Sequence, residues 1–264
     1  MVPVVTGAVA SILYLGVSAY LALHLRSGKQ AKKSILLAPG AIALLLHLNS
    51  IYGIIITPDG LEFGLFKIGS IFGWVIAALT ITTSLYRPIE NLIIVAYPIA
   101  AAALWSSILV PTSTTIINPS PSIVAHIVIS ILAYSILAIA VAQALLLDLQ
   151  NYQLKHKHTH GIIEILPPLQ TMETVLFEML WLGIGLLSIS IITGILFLDD
   201  MVAQHMIHKT VLSISAWVIF AVLLGGRHFL GWRGVVATRW TLGGFFLLLL
   251  AYFGSKLVLE VFLA

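Results

Sequence analysis

Histidine is the residue type through which this chain could do chemistry. His47 and His126 fall inside apolar segments of membrane length, and His205 and His208 stand three residues apart at the entrance to another. A neutral imidazole presents one nitrogen lone pair to a metal and one ring N–H to a partner. Within a bilayer such groups are costly unless they are paired or employed. Nine histidines against ten acidic residues make imidazole a large share of the polarity of this chain. Cysteine is absent, which removes thiolate ligands, disulfides and covalent attachment of a cofactor through sulfur.

Position separates the histidines. His126 lies about one turn into an apolar segment, with Tyr134 two turns further along the same face. The choice there is between an interfacial histidine bonded outward and a ligand. His205 and His208 would point the same way if their segment is helical, an arrangement that suits a metal or the edge of a cofactor. No third nitrogen or carboxylate at a fixed spacing completes a closed zinc site, and Asp199 and Asp200 are either ligands or the end of a span. His47 is the deepest, about 14 Å from the end of its segment at 1.5 Å per residue. It reads either as a helix contact bonded to a serine or tyrosine of a neighbour, or as an axial ligand for a planar tetrapyrrole held among helices. Two helices each offering one histidine is the minimum for a six-coordinate iron. His156, His158 and His160 alternate in a polar stretch with Lys155 and Lys157 and read as a solvated loop. His24 and His228 stand at segment ends.

The elements that must position these residues are membrane helices. The chain is 60% hydrophobic and 9% charged over 264 residues, with a mean hydropathy of +1.09, whereas soluble domains carry roughly a quarter charged residues. Apolar stretches of about 20 residues cross a bilayer as helices, and eight are present: 4–25, 35–56, 65–85, 91–110, 122–148, 175–198, 209–226 and 236–262. The expected fold is all-α, a polytopic membrane bundle of eight transmembrane helices forming one integral membrane domain over residues 1–264. The first run begins at Val4 without a basic leader and reads as a retained helix. Arg26, Lys29, Lys32, Lys33, Arg87, Lys155, Lys157, Arg227, Arg233 and Arg239 fall in one set of alternating connections, against Lys67, Lys209 and Lys256 in the other. That bias predicts both termini outside, with loops 57–64, 111–121 and 199–208 on the periplasmic side of a bacterial inner membrane. Pro98 should kink its helix, and Pro121 should open another. Trp105, Trp232 and Trp240 suit interfacial anchoring, and Trp74, Trp181 and Trp217 suit deeper packing.

From His126 onward the pattern resembles the cytochrome c assembly protein family, membrane proteins that move or attach haem during cytochrome c maturation. The matching residues are His126 with Tyr134, Leu166-Pro167-Pro168-Leu169 followed by Thr171-Met172-Glu173, and Gly183 to Gly194 ending in Ile192-Thr193-Gly194. They continue in Gly231-Trp232-Arg233-Gly234 and Tyr252-Phe253-Gly254. Through His208-Lys209-Thr210-Val211-Leu212-Ser213 and Arg239-Trp240-Thr241-Leu242-Gly243-Gly244 the resemblance is strongest to the YpjD-like inner-membrane branch. Ligases and exporters of the family carry a tryptophan-rich external segment ending in Trp-Asp-Pro-Lys. The stretch before Lys209 has no tryptophan, and Gly225 stands where the family has a histidine ahead of the arginine, here Arg227.

The resemblance implies haem handling, without the ligase segment. Joined to the histidine placement, it makes His126, His208 and His47 the candidate iron ligands of a non-covalent, b-type haem. His205 is a weaker companion, and Lys209 a candidate partner for a propionate. Lipid and other membrane or cytochrome assembly proteins are the expected partners, with no nucleic acid. No catalytic residue is assigned. The competing reading is a membrane partner or regulatory subunit that keeps the fold without haem. A small-solute transporter lacks support, since no paired carboxylates or broken-helix repeat occur in the spans.

Overall fold

The computed structural model describes residues 2–58, 60–110, 116–117, 119–156, 166–197 and 207–254. Among the described residues eight α-helices follow one another: α1 (Val2–Arg26), α2 (Lys33–Ile55), α3 (Leu65–Tyr86), α4 (Ile93–Leu109), α5 (Pro121–Lys155), α6 (Leu169–Phe197), α7 (Ile207–Leu230) and α8 (Val235–Leu249). A 3-10 turn at Glu90–Leu92 leads into α4, and a π-helical turn at Leu250–Gly254 continues α8. With the 3-10 turn counted into α4 (Glu90–Leu109) and the π turn into α8 (Val235–Gly254), all eight are long and apolar enough to cross a membrane, as the eight apolar stretches predict. The last expected span runs past Gly254 into residues 255–262, which lie outside the described residues.

α5 and α6 outrun their apolar segments furthest at one end. α5 has 35 residues, about 52 Å at 1.5 Å per residue, against a hydrocarbon core of about 30 Å. It continues beyond Asp148, where Gln150 is buried and Asn151 reaches toward Gly234. α6 starts directly after Pro167-Pro168, because proline has no N–H to lose at a helix entrance.

The chain packs as two compact units. One comprises residues 1–118 with 153–167, and the other 119–152 with 168–264.

In the first unit α1 packs against α2 and α4, and α3 against α4. Ala10, Tyr14, Ala43, Ala77, Tyr97, Ala100 and Leu104 form its core. Small residues let these backbones approach where no hydrophobic drive operates between helices. Pro98 cannot donate to the carbonyl of Ile94, and the Ser18 hydroxyl of α1 donates to that carbonyl instead at 3.2 Å. A neighbouring serine commonly repairs a proline break in this way.

At the end of this unit where α2 leaves and α3 enters, β1 (Ile56–Thr57) and β2 (Gly60–Glu62) form an antiparallel pair. β2 also pairs with β3 (Ile116–Ile117), Leu61 opposite Ile117 and Glu62 opposite Ile116. Sequence patterning did not predict this small sheet, whose strands are two and three residues long. Glu62 forms an ion pair with Lys67 on the first turn of α3. At the opposite end Lys33 meets Glu90 at 2.8 Å.

In the second unit α7 packs against α6 and α8, and the π turn against α7 and α8. The α7–α8 connection turns at Gly231 and Gly234, whose positive φ values of 68° and 55° favour glycine. Glu173 on α6 accepts the Gly234 N–H at 3.3 Å and lies 3.9 Å from Arg227. The Arg227 guanidinium sits over the Phe177 ring at 4.7 Å. Trp232 and Trp240 pack ring to ring, centroids 5.3 Å apart. Trp181 departs from expectation: it is 62% exposed within its bundle, so its ring lies on the surface a bilayer would cover. Deep packing was expected from its mid-helix position, but position along a helix does not fix which face a residue occupies.

Candidate histidine sites

His126 stands on the second turn of α5 and is half-buried. Its Nδ1 lies 3.0 Å from the Thr193 hydroxyl of α6. That hydroxyl is also 2.9 Å from the Ile189 carbonyl and 3.0 Å from the Ser190 carbonyl of its own helix. One turn further into α5, Ser130 donates back to the His126 carbonyl at 2.7 Å and contacts the Ser190 hydroxyl at 2.7 Å. Gly194 provides the seat for the ring. A Cβ there would meet His126 Cε1 at 3.0 Å, closer than ordinary contact allows.

The polar strip continues along α5 at four-residue spacing, His126, Ser130, Tyr134, which places all three on one helix face. Tyr134 is buried and hydrogen-bonds Ser213 of α7. Its ring meets Tyr252 of the π turn edge-on, centroids 6.4 Å apart at 73°. Trp217 of α7 donates its indole N–H to Ser188 of α6 at 2.8 Å. π turns recur at functional sites, and this one brings Tyr252 to the strip.

His208 and Lys209 lie on the first turn of α7, the histidine exposed and the lysine partly covered. They share an end of this unit with His126, because α5 and α7 begin where α6 ends. His205, Asp199 and Asp200 lie outside the described residues, as do His158 and His160. Among the described residues no group of three or more His, Asp or Glu side chains gathers as a metal site.

His47, in the other unit, is fully buried. Its Nδ1 is 3.4 Å from the Tyr14 hydroxyl and its Nε2 is 3.0 Å from the Ser70 hydroxyl. A neutral imidazole has one donor and one acceptor nitrogen, so the two hydroxyls satisfy both. Of the two readings of this residue, the helix-contact one matches these partners. Iron ligation there would require one of the bonds to open. Tyr14 packs on Tyr97 at 4.9 Å. The Tyr97 hydroxyl, without a hydrogen-bond partner among the described residues, fills the space a side chain on Gly40 would occupy.

His126 offers one imidazole, with one nitrogen engaged by a hydroxyl, among apolar and hydroxyl-bearing side chains. Such engagement of the second nitrogen is the usual support for a ligating histidine. Spacing did not single out Thr193, Ser190 or Gly194 as the surroundings of His126. Two of them lie in the Ile192-Thr193-Gly194 motif, but a hydroxyl bonded to its own helix looks the same in sequence as one that meets another helix.

A family model described as cytochrome C assembly protein matches residues 35–263. Inner membrane protein YpjD of Escherichia coli K12 is 33% identical over 225 residues, covering 83% of this chain and 84% of that protein. An uncharacterized 28.8 kDa protein of Azospirillum brasilense is 32% identical over 140 residues, 52% of each chain. Protein HemX of Brevibacillus brevis is 22% identical over 196 residues, 72% of each. No solved structure matches.

Proposed function

The chain belongs to the cytochrome c assembly protein family, and from that premise we propose that it is an inner-membrane protein that binds haem non-covalently and handles it for cytochrome assembly. The observation that carries this reading is His126, half-buried near the end of its helix with Nδ1 3.0 Å from the Thr193 hydroxyl. His126 is the iron ligand in this reading. His208 and Lys209, on the first turn of α7, serve as second ligand and propionate partner, with His205 next to them in sequence. His47 is the least suited of the candidates, since both of its nitrogens face hydroxyls.

Bound haem would supply an iron centre that accepts an imidazole nitrogen and changes oxidation state. The residues of the chain bind and orient. Thr193 holds the ring of His126, Gly194 leaves it room, and Tyr134 with Tyr252 closes the strip below with aromatic surface. The weight of basic residues supports placing both termini on the outer face, which puts His126 and His208 at that face of a single membrane-integral domain. Other membrane or cytochrome assembly proteins are the partners this role requires.

Purification in mild detergent followed by oxidised and reduced spectra and haem extraction tests the reading. A Soret band lost in His126→Ala is the expected result. A colourless protein that also fails to take up added haem sinks it, and co-purification of that protein with another membrane protein would favour a partner subunit that keeps the fold alone. The paired nitrogens of His47 are the observation that favours that second reading.

A further inference from the structure

We infer that Thr193 is a positioning residue that locks His126 with its proton on Nδ1, so that Nε2 is the nitrogen presented for ligation; this rests on the haem reading for its purpose but not for its chemistry. One hydrogen decides which nitrogen of His126 is protonated. Thr193 Oγ1 has three polar neighbours, His126 Nδ1 at 3.0 Å, the Ile189 carbonyl at 2.9 Å and the Ser190 carbonyl at 3.0 Å, and the His126 ring is itself in hydrogen-bond contact with the Ser190 backbone.

A hydroxyl carries one proton and accepts through its lone pairs. If that proton points at Nδ1, the hydroxyl oxygen faces two carbonyl oxygens at hydrogen-bond distance with no hydrogen between them, a repulsive arrangement in an apolar surrounding. If it points at either carbonyl, the oxygen lone pair faces the ring, and Nδ1 must carry a proton to meet it. The second arrangement satisfies every group in a continuous chain, Nδ1–H to hydroxyl to carbonyl. Nε2 is then the lone-pair nitrogen. Helical back-bonding of this kind is ordinary for threonine. Here it turns a backbone carbonyl into the element that selects the tautomer on the neighbouring helix.

Gly194 fixes the other degree of freedom. Its missing Cβ leaves the Cε1 edge of the ring in contact with α6, which holds the imidazole plane while Thr193 holds its rotation.

Selective 15N-histidine labelling in detergent reads the tautomer without any cofactor, the His126 signals being those absent from His126→Gln. The wild type should carry its proton on Nδ1, Thr193→Ser should keep it there, and the nearly isosteric Thr193→Val should release it to a mixture of both tautomers. In a separate haem titration Thr193→Val should weaken binding about tenfold or more, with Thr193→Ser restoring it. A wild-type proton on Nε2, or an unchanged tautomer in Thr193→Val, overturns the inference. The wild-type measurement stands even if the valine variant does not fold. An Nδ1-protonated His126 in a protein with no affinity for haem overturns the haem reading and leaves the tautomer lock in place.

Discussion

The Glu173 carboxylate binds the first turns of α6 to the α7–α8 connection, accepting the Gly234 N–H at 3.3 Å while standing 3.9 Å from the Arg227 guanidinium. Two segments that carried the family resemblance, Thr171-Met172-Glu173 and Gly231-Trp232-Arg233-Gly234, are thus two halves of one tie.

Removing the carboxylate should loosen that end of the bundle. Glu173→Ala leaves both the Gly234 amide and Arg227 without their partner and should destabilise by about 1–3 kcal/mol. Glu173→Gln keeps an acceptor oxygen and loses only a partly exposed ion pair, about 1 kcal/mol or less. Thermal unfolding in detergent followed by tryptophan fluorescence, to which Trp232 and Trp240 contribute, measures both. Equal effects would remove the amide bond from the account.

His47 and His126 should separate stability from ligand binding. His47→Leu strips two buried hydroxyls of their partner. Interhelical bonds in membrane proteins are worth about 0.6 kcal/mol on average, so a loss of about 1–2 kcal/mol is expected with haem stoichiometry unchanged. His126→Ala should have the reverse profile, with little loss of stability and no haem on extraction. Loss of haem in the His47 variant at intact fold would return that residue to the ligand set.

The seat under the His126 ring is testable by a single carbon. Gly194→Ala places a Cβ 3.0 Å from Cε1 and should weaken haem binding about tenfold, the lower end of the range for disturbing a ligand's support. Gly185→Ala, on the same helix with nothing within 4 Å of its Cβ, is the control and should leave binding unchanged. Titration with haem and difference spectra compare the two.

Orientation follows from charge. Alkaline phosphatase fused after residue 118 should be active, and fused after residue 156 inactive, if the basic connections stay inside. Lys67, one of the few basic residues on the other side, is ion-paired with Glu62, so it detracts little from the asymmetry. The opposite fusion pattern would invert the bundle and move His126 to the inner face.

Apolar length alone made the eight helices legible, because a bilayer demands it of any spanning segment. Their ends were less so. α5 continues past Asp148 through Gln150 and Asn151, where packing rather than hydropathy holds the helix. The pairing of β2 with β3 joins residues more than fifty positions apart, and nothing local in two-residue strands announces it. For the site, the depth of His126 and His47 could be read from position, but their partners could not. Tyr14, Ser70 and Thr193 sit on other helices, and which faces meet is decided by packing.

Ser18 and Pro98 carry a further consequence, for the order in which this sequence can change. While Pro98 is present the Ile94 carbonyl depends on the Ser18 hydroxyl. Replacing Pro98 first returns an N–H to that carbonyl and makes the serine dispensable. Replacing Ser18 first strands the carbonyl in an apolar interior, where an unmet polar group costs several kcal/mol. The same two substitutions therefore form a passable path in one direction and a barrier in the other, a small ratchet that binds the history of α1 to that of α4.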